Sequence, residues 1–175
     1  MKLKRIVIAP TLVVCSIILL CNCSNGQEQS KKPLGKIDKV VVLKAERKMQ
    51  LIKNGEVVRT YPIALGDNPI GHKVKEGDER TPEGTYVLDW RNEQSHYYKS
   101  YHISYPNAED KKRAKALNVS PGGSIMVHAL PNGMGSIGQA HTQQDWTDGC
   151  IAITNEQMDE LWESAKIGTP IEIKP

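Results

Sequence analysis

The 175-residue chain carries 23 Lys and Arg against 20 Asp and Glu. Lys2, Lys4 and Arg5 account for the whole excess, so the remainder is formally neutral and gives no electrostatic reason to expect nucleic-acid binding. The length fits one domain with a hydrophobic core of its own.

The first 22 residues have the pattern of a secretory signal peptide. Lys2, Lys4 and Arg5 form a basic start, and an apolar run follows over residues 6–20. This predicts export across a membrane. An uncleaved membrane anchor is the alternative, although the apolar run is short for a transmembrane helix.

Residues 20–23 resemble the processing site of a bacterial lipoprotein, which would make Cys23 the lipidated first residue of the mature chain. Residues 23–36 are polar and predict a flexible tether, followed by a folded domain over residues 37–175. The protein is therefore expected in the bacterial envelope, facing the periplasm and held to a membrane through Cys23. Cys15 and Cys21 would leave with the signal peptide, so Cys150 is the single cysteine of the domain.

The domain begins with a pattern of β-strands. Apolar runs over 39–43, 49–53 and 56–64 predict a three-stranded meander, with a hairpin turn at Asn54-Gly55. Further strands are expected over 85–90 and 97–105. In the latter, side chains alternate between a face with Tyr101, Ile103 and Tyr105 and a face with His102 and Ser104.

Two helices complete the expected mainly β fold. Asn107 is the predicted N-cap of the first, and its run of basic residues indicates a solvated face, with binding to an anionic polymer as the alternative. Thr154 and Gln157 form a predicted capping box for the second, whose apolar stripe belongs to the core. Residues 129–144 are expected to form a loop, and residues 171–173 a final strand.

Cys150 and His128 are the candidate catalytic pair. Cys150 follows a glycine and precedes an apolar run, and His128 ends an earlier apolar run, over 124–128. A thiol needs a base or a cation beside it to react as a nucleophile at neutral pH, and a histidine can serve as that base. The alternative is an inert, buried cysteine. A zinc site is a further alternative, but the ligand spacing does not support one, and no metal or other cofactor is expected.

Four segments resemble the L,D-transpeptidase (YkuD-like) catalytic domain of bacterial cell-wall enzymes, and the resemblance spans most of the predicted domain. They are Thr81-Pro82-Glu83-Gly84-Thr85-Tyr86, His102-Ile103-Ser104-Tyr105-Pro106-Asn107, the strand ending at His128, and Thr147-Asp148-Gly149-Cys150-Ile151. The resemblance implies a β-sandwich-like fold and a reaction on peptidoglycan stem peptides. The cysteine would cleave the bond between the diamino acid and D-alanine, and an amine would resolve the thioester.

The resemblance also implies a role for each site residue. Cys150 would be the nucleophile and His128 the base, with the carbonyl of Ala129 orienting its ring. Amides near Gly149 and Cys150 would form the oxyanion hole, and Thr147 keeps the hydroxyl of the family signature. The candidate substrate-binding residues are His102, Trp146 and Asp148.

Two positions depart from the common family signature. Asp148 stands where histidine is usual, and Ala152 stands where arginine is usual, which removes a positive charge that could pair with a substrate carboxylate. The substrate position or product can therefore differ from that of common members. A hydrolase, either an L,D-carboxypeptidase or a protein–peptidoglycan amidase, is the first alternative function. A non-catalytic envelope-binding module is the second.

Overall fold

The structure is a computed structural model that describes residues 33–175. This part contains eight β-strands, two α-helices and one 3-10 helix: β1 Lys39–Leu43, β2 Lys48–Lys53, β3 Glu56–Pro62, β4 Gly84–Ser95, β5 Tyr98–Ile103, α1 Ala108–Ala116, β6 Met126–His128, the 3-10 helix Gly135–Gln143, β7 Ile151–Ala152, α2 Asn155–Ser164 and β8 Thr169–Lys174. The predicted signal peptide (1–22), Cys23 and the tether up to residue 32 lie outside the described residues.

All eight strands belong to one sheet with the order β3-β2-β1-β8-β4-β5-β6-β7. The pairs β1–β8 and β6–β7 are parallel, and the other neighbouring pairs are antiparallel. The last strand of the chain therefore lies in the middle of the sheet, where it joins the meander β1–β3 to the strands that carry the candidate site.

The sheet curls until its two ends meet. The Ala64 amide, just after β3, donates to the Ala152 carbonyl (3.1 Å), and the Ala152 amide donates back (2.9 Å). A second bridge joins Gly66 to Thr147. The apolar side chains enclosed by this curl form the core, and the expectation of a mainly β domain with about two helices is confirmed.

The local turn and cap predictions are confirmed. Asn54 and Gly55 both have positive φ (52° and 81°), as a two-residue hairpin turn of type I′ requires. The Asn107 side chain caps α1 in a capping box with Asp110. Thr154 and Gln157 form the equivalent box on α2.

The apolar stripe of α2 packs in the core as expected, with Met158, Leu161 and Ala165 fully buried. Lys111, Lys112 and Lys115 of α1 are exposed. This agrees with the expected solvated face of α1.

Two elements differ from the sequence-based expectation. β4 continues through polar residues to Ser95, because β5 pairs with it and the Arg91 guanidinium packs over the rings of Tyr101 (5.0 Å) and Trp162 (4.8 Å). The expected loop over 129–144 contains the 3-10 helix, which is kinked at Gly138 (φ 52°). No helix within residues 33–175 is long and apolar enough to cross a membrane.

Candidate active site

The short parallel pair β6–β7 brings the two candidate catalytic residues to one cleft. Val127 pairs with Ile151 and His128 with Ala152, so Cys150 lies just before β7 and beside β6. Cys150 and His128 both line a cleft of about 750 Å³, which we call the Cys150 cleft. The structure thus brings together two residues that are 22 positions apart in the sequence.

The hydrogen bond of His128 to the backbone determines its tautomer. Its Nδ1 lies 2.7 Å from the Ala129 carbonyl oxygen. Because a carbonyl oxygen only accepts hydrogen bonds, Nδ1 carries the proton, and Nε2 of the neutral ring is left with a lone pair. Burial lowers the pKa of His128 to about 4, despite the opposing effect of the Ala129 carbonyl. The ring is therefore neutral at neutral pH and able to accept a proton.

Aromatic side chains enclose the imidazole. The Tyr97 ring lies 4.4 Å from the His128 ring, centre to centre, and Trp146 meets it edge to face at 5.6 Å. Both also line the Cys150 cleft. These contacts limit rotation of the ring and exclude water from it, which is the physical origin of the low pKa.

Cys150 is held as a thiol. Its Sγ accepts a hydrogen bond from the Met126 amide (3.4 Å) and donates one to the Ser124 carbonyl (3.7 Å). Burial raises the pKa of the thiol, the Met126 amide lowers it, Asp148 raises it and Lys73 lowers it. Within residues 33–175 no hydrogen bond joins Cys150 to His128. Because burial raises the pKa of Cys150 and lowers that of His128, the cleft contains a neutral thiol and a neutral imidazole at rest.

A braced turn precedes Cys150. The Thr147 hydroxyl donates to the Cys150 carbonyl (2.8 Å) and accepts from the Gly149 amide (3.2 Å), and the Thr81 hydroxyl donates to the Gly149 carbonyl (2.9 Å). Gly149 has φ 116°, and a Cβ there would lie 2.5 Å from the Arg80 carbonyl oxygen. Glycine is therefore required on both conformational and steric grounds.

The two amides expected to form the oxyanion hole differ in their contacts, and their catalytic role stays a prediction. The Gly149 amide is already used by the Thr147 hydroxyl. The Cys150 amide takes part in no hydrogen bond with the other described residues, which leaves it as the available donor of the two. Thr147 itself shapes this turn, since its hydroxyl bonds to the Gly149 amide and the Cys150 carbonyl.

The three expected substrate-binding residues fall into two groups. Trp146 and Asp148 line the Cys150 cleft, and Asp148 is exposed at its rim. His102 does not line it. It stacks on Trp90 at 5.0 Å and contacts Asp89 (2.6 Å), because β5 places it opposite Trp90 in the sheet register. Trp90, rather than His102, reaches the cleft.

Sequence reasoning missed two polar residues of the cleft. Ser100 lies opposite His128 in the β5–β6 register and is 1% exposed, and its hydroxyl has no hydrogen-bond partner among the described residues. Ser100 is two residues from His102 in β5 and therefore on the same face, which is the signal that could have identified it. Lys73 is buried in the cleft wall, and its position in a loop of charged residues gave no sign of this.

The described part of the chain contains no group of three or more His, Cys, Asp and Glu side chains that could hold a metal ion.

A family model described as the L,D-transpeptidase catalytic domain (YkuD) matches residues 37–173. The match covers well over half of the chain and includes the braced turn, Cys150 and His128. The chain belongs to the L,D-transpeptidase catalytic-domain family.

Individual relatives agree with this assignment. YafK of Escherichia coli K12, provisionally named an L,D-transpeptidase, is 28% identical over 145 residues, which are 79% of this chain and 51% of YafK. L,D-transpeptidase 5 of Mycobacterium tuberculosis is 25% identical over 137 residues, covering 75% of this chain and 27% of the relative. The chain thus spans about half or less of the length of these curated relatives.

Solved structures share the fold. Bd1075 of Bdellovibrio bacteriovorus has a TM-score of 0.57 and 26% identity, covering 82% of this chain and 50% of Bd1075. The helical cell shape determining protein Pgp2 of Campylobacter jejuni has a TM-score of 0.54 and 23% identity, with 80% and 48% coverage. The fold class inferred from the sequence is therefore confirmed.

Proposed function

We propose that this protein is a cysteine-dependent acyltransferase acting on peptidoglycan stem peptides. It cleaves the bond between the diamino acid at position three and D-alanine at position four, then transfers the acyl group to an amine. The observation that carries this proposal is the pairing of the Cys150 thiol with a His128 ring whose Nε2 lone pair is free, in one cleft of a family-typical domain.

The first half-reaction forms a thioester. Nε2 of His128 accepts the proton of the Cys150 thiol as Sγ attacks the carbonyl carbon. The tetrahedral oxyanion collapses, the carbon–nitrogen bond breaks, and the imidazolium returns its proton to the departing D-alanine amine. Because burial keeps both groups neutral at rest, proton transfer accompanies the attack and no preformed thiolate is required.

The second half-reaction releases the acyl group. An amine attacks the thioester carbonyl, His128 accepts a proton from that amine, and the carbon–sulfur bond breaks. The proton then returns to the Cys150 sulfur, which restores the neutral pair. The Cys150 amide is the proposed donor to the oxyanion in both half-reactions.

The proposed location is the bacterial cell envelope. Residues 1–22 would direct export, a lipid on Cys23 would hold the protein at a membrane, and residues 23–36 would tether the catalytic domain. This part of the proposal rests on the sequence pattern of the first 36 residues and on the cell-wall relatives. Peptidoglycan is the partner it implies.

Hydrolysis is the second candidate function, and Ser100 favours it. Its buried hydroxyl has no partner among the described residues and lies opposite His128 in the sheet. A water bound there would be close to the base that activates the acceptor. Water would then resolve the same thioester, and the enzyme would act as an L,D-carboxypeptidase or a protein–peptidoglycan amidase.

The test is incubation of the purified protein with disaccharide-tetrapeptide, with and without an excess of a D-amino acid, followed by mass spectrometry. We expect exchange of the terminal D-alanine by the wild type and none by Cys150→Ala or His128→Asn. His102→Asn is the matched control, because His102 lies outside the cleft and this variant should keep the activity.

Two outcomes would contradict the proposal. Hydrolysed stems alone, with the amine in excess, would identify a hydrolase. Full activity in a folded Cys150→Ala variant would exclude the cysteine mechanism altogether.

A further inference from the structure

Lys73 is a buried lysine next to the proposed nucleophile. Its side chain is 4% exposed, and it is the only Lys or Arg that lines the Cys150 cleft in the described part of the chain. Ala152, where family members commonly carry arginine, is fully buried and does not line the cleft. The cleft therefore receives its positive charge from the loop before β4 and not from the strand after the nucleophile.

Asp78 fixes the position of Lys73. The Lys73 Nζ donates to Asp78 Oδ1 at 2.8 Å. The same carboxylate accepts hydrogen bonds from the backbone amides of Val74 (2.6 Å), Lys75 (3.0 Å) and Arg80 (3.1 Å). Asp78 thus ties the loop together around the lysine, and Lys73 is placed before any substrate arrives.

The ammonium group of Lys73 has spare hydrogen-bonding capacity. It carries three N–H donors, and Asp78 is the one acceptor it contacts among the described residues. Two N–H donors of a buried cation are thereby left for a ligand. Ser100 Oγ, in the wall of the same cleft, also lacks a partner among the described residues. Unmet polar groups in a buried wall are costly unless a ligand or water completes them.

The charge of Lys73 reaches the reacting sulfur, since Lys73 is among the groups that lower the pKa of Cys150. The exposed rim of the cleft is acidic, with Glu76, Glu79 and Asp148. A multiply charged anion such as a phosphate would meet these three carboxylates on entry. A singly charged carboxylate has two oxygens for the two spare N–H donors of Lys73, and the rim carboxylates repel it less than they repel a multiply charged anion.

We infer that Lys73 binds a free carboxylate of the substrate and so positions the scissile or acceptor residue at Cys150. The inference rests on the proposed function. The carboxylate belongs to a terminal amino acid residue and has two chemical sources: the end of the donor stem peptide, or the acceptor D-amino acid. Lys73 is thus a specificity-determining residue that takes over a charge absent at position 152.

The experiment compares substrates with and without the carboxylate. The donor is offered as a tetrapeptide ending in D-alanine or in D-alaninamide, and the acceptor as a D-amino acid or its carboxamide. Steady-state kinetics are measured for wild type, Lys73→Met and Lys73→Gln, with Lys75→Met as the matched control. Lys75 carries the same charge in the same loop, but its side chain is exposed and does not line the cleft.

For the wild type we expect kcat/KM to be about 10- to 100-fold higher with the carboxylate, as a charge-assisted hydrogen bond provides. Lys73→Met should lose that preference, mainly through a higher KM for the carboxylate substrate. Lys75→Met should keep the preference. If Lys73→Met loses the carboxylate preference only between the two donor peptides, Lys73 binds the carboxylate of the donor. If it loses the preference only between the two acceptors, Lys73 binds the carboxylate of the acceptor.

An unchanged carboxylate preference in folded Lys73→Met and Lys73→Gln would overturn the inference. Lys73→Gln keeps a donor for Asp78 without the charge, and circular dichroism with thermal unfolding verifies the fold of both variants. If the wild type turns over no stem peptide, the proposed function is wrong. Calorimetric titration of Cys150→Ala with the acid and the amide peptide then still tests Lys73, because equal affinity for the two would contradict its role.

Discussion

Two buried lysines, Lys44 and Lys73, differ in how many of their N–H donors take part in hydrogen bonds. Lys44, just after β1, donates to the carbonyls of Gly71 (2.6 Å) and Thr81 (3.1 Å) and to Glu83 Oε1 (2.7 Å). All three of its N–H groups are used. Lys73 donates to Asp78 alone among the described residues and faces the Cys150 cleft.

The difference separates a structural lysine, Lys44, from the lysine that we propose binds substrate, Lys73. Lys44 joins both ends of the loop 71–83, and that loop carries Lys73 into the cleft wall. Burial lowers the pKa of Lys44, and its contact with Glu83 opposes this effect. A fully satisfied buried ammonium holds the scaffold, whereas one with spare donors is available to a ligand.

The largest expected effect is on stability, from Lys44→Met. It leaves two carbonyls and Glu83 without their donor, and we expect a loss of about 3 to 4 kcal/mol in the free energy of unfolding, because Glu83 keeps some contact with water. Lys73→Met should cost only about 1 to 2 kcal/mol, since Asp78 keeps three backbone donors. Urea denaturation measures both.

Lys75→Met, an exposed change in the same loop, should stay within about 0.5 kcal/mol of wild type. Equal losses from Lys44→Met and Lys73→Met would remove the distinction between the two lysines.

The same contrast between buried groups exists for two histidines, and it predicts the pH dependence of stability. His128 donates to the Ala129 carbonyl, whereas neither ring nitrogen of His141 has a partner among the described residues. Burial lowers the pKa of both. For His128 the folded value of about 4 lies below the ordinary 6.5, so the unfolded chain takes up a proton first as the pH falls.

This contribution to stability is therefore present above about pH 6.5 and lost as the pH falls towards 4, by on the order of 3 kcal/mol. Urea denaturation between pH 7 and pH 4 measures the loss, and His128→Asn should make it smaller by that amount. His141→Phe should also reduce the loss, but without abolishing stem-peptide exchange. If the free energy of unfolding falls equally in wild type and His128→Asn between pH 7 and pH 4, groups other than His128 cause the loss.

The smallest expected effect concerns two opposite charges acting on one thiol. Lys73 lowers the pKa of Cys150 and Asp148 raises it. Asp148→Asn should therefore increase the rate of Cys150 alkylation by iodoacetamide at pH 7 by about two- to threefold, a modest change because Asp148 is exposed. Lys73→Gln should decrease the rate, and the same direction in both variants would contradict this electrostatic assignment.

Local features were predictable because they depend on neighbouring residues. The Asn54-Gly55 turn, the caps at Asn107 and Thr154, and the buried stripe of α2 each follow from a short sequence pattern. The cleft shared by Cys150 and His128 was anticipated from the signature segments and the family resemblance. Their proposed catalytic roles remain predictions.

Other features depend on contacts between distant segments, and these were missed. The polar end of β4 is a strand because β5 pairs with it and Arg91 packs on rings from β5 and α2. His102 lies on the same face as Trp90 but outside the cleft, because it stacks on the Trp90 ring and contacts Asp89. The Gly149 amide is used by Thr147, which a linear signature does not reveal.

The sequence by itself predicted the class of fold from strand alternation and capping residues, which are local properties, and the family from the resemblance of four short segments. It also proposed Cys150 and His128 as nucleophile and base, and these roles stay predictions. Only the tertiary structure decided which charge lies beside the nucleophile. Position 152 contributes none, and a loop about 75 residues earlier supplies Lys73, since a buried ammonium is placed by the carboxylate and backbone groups that surround it.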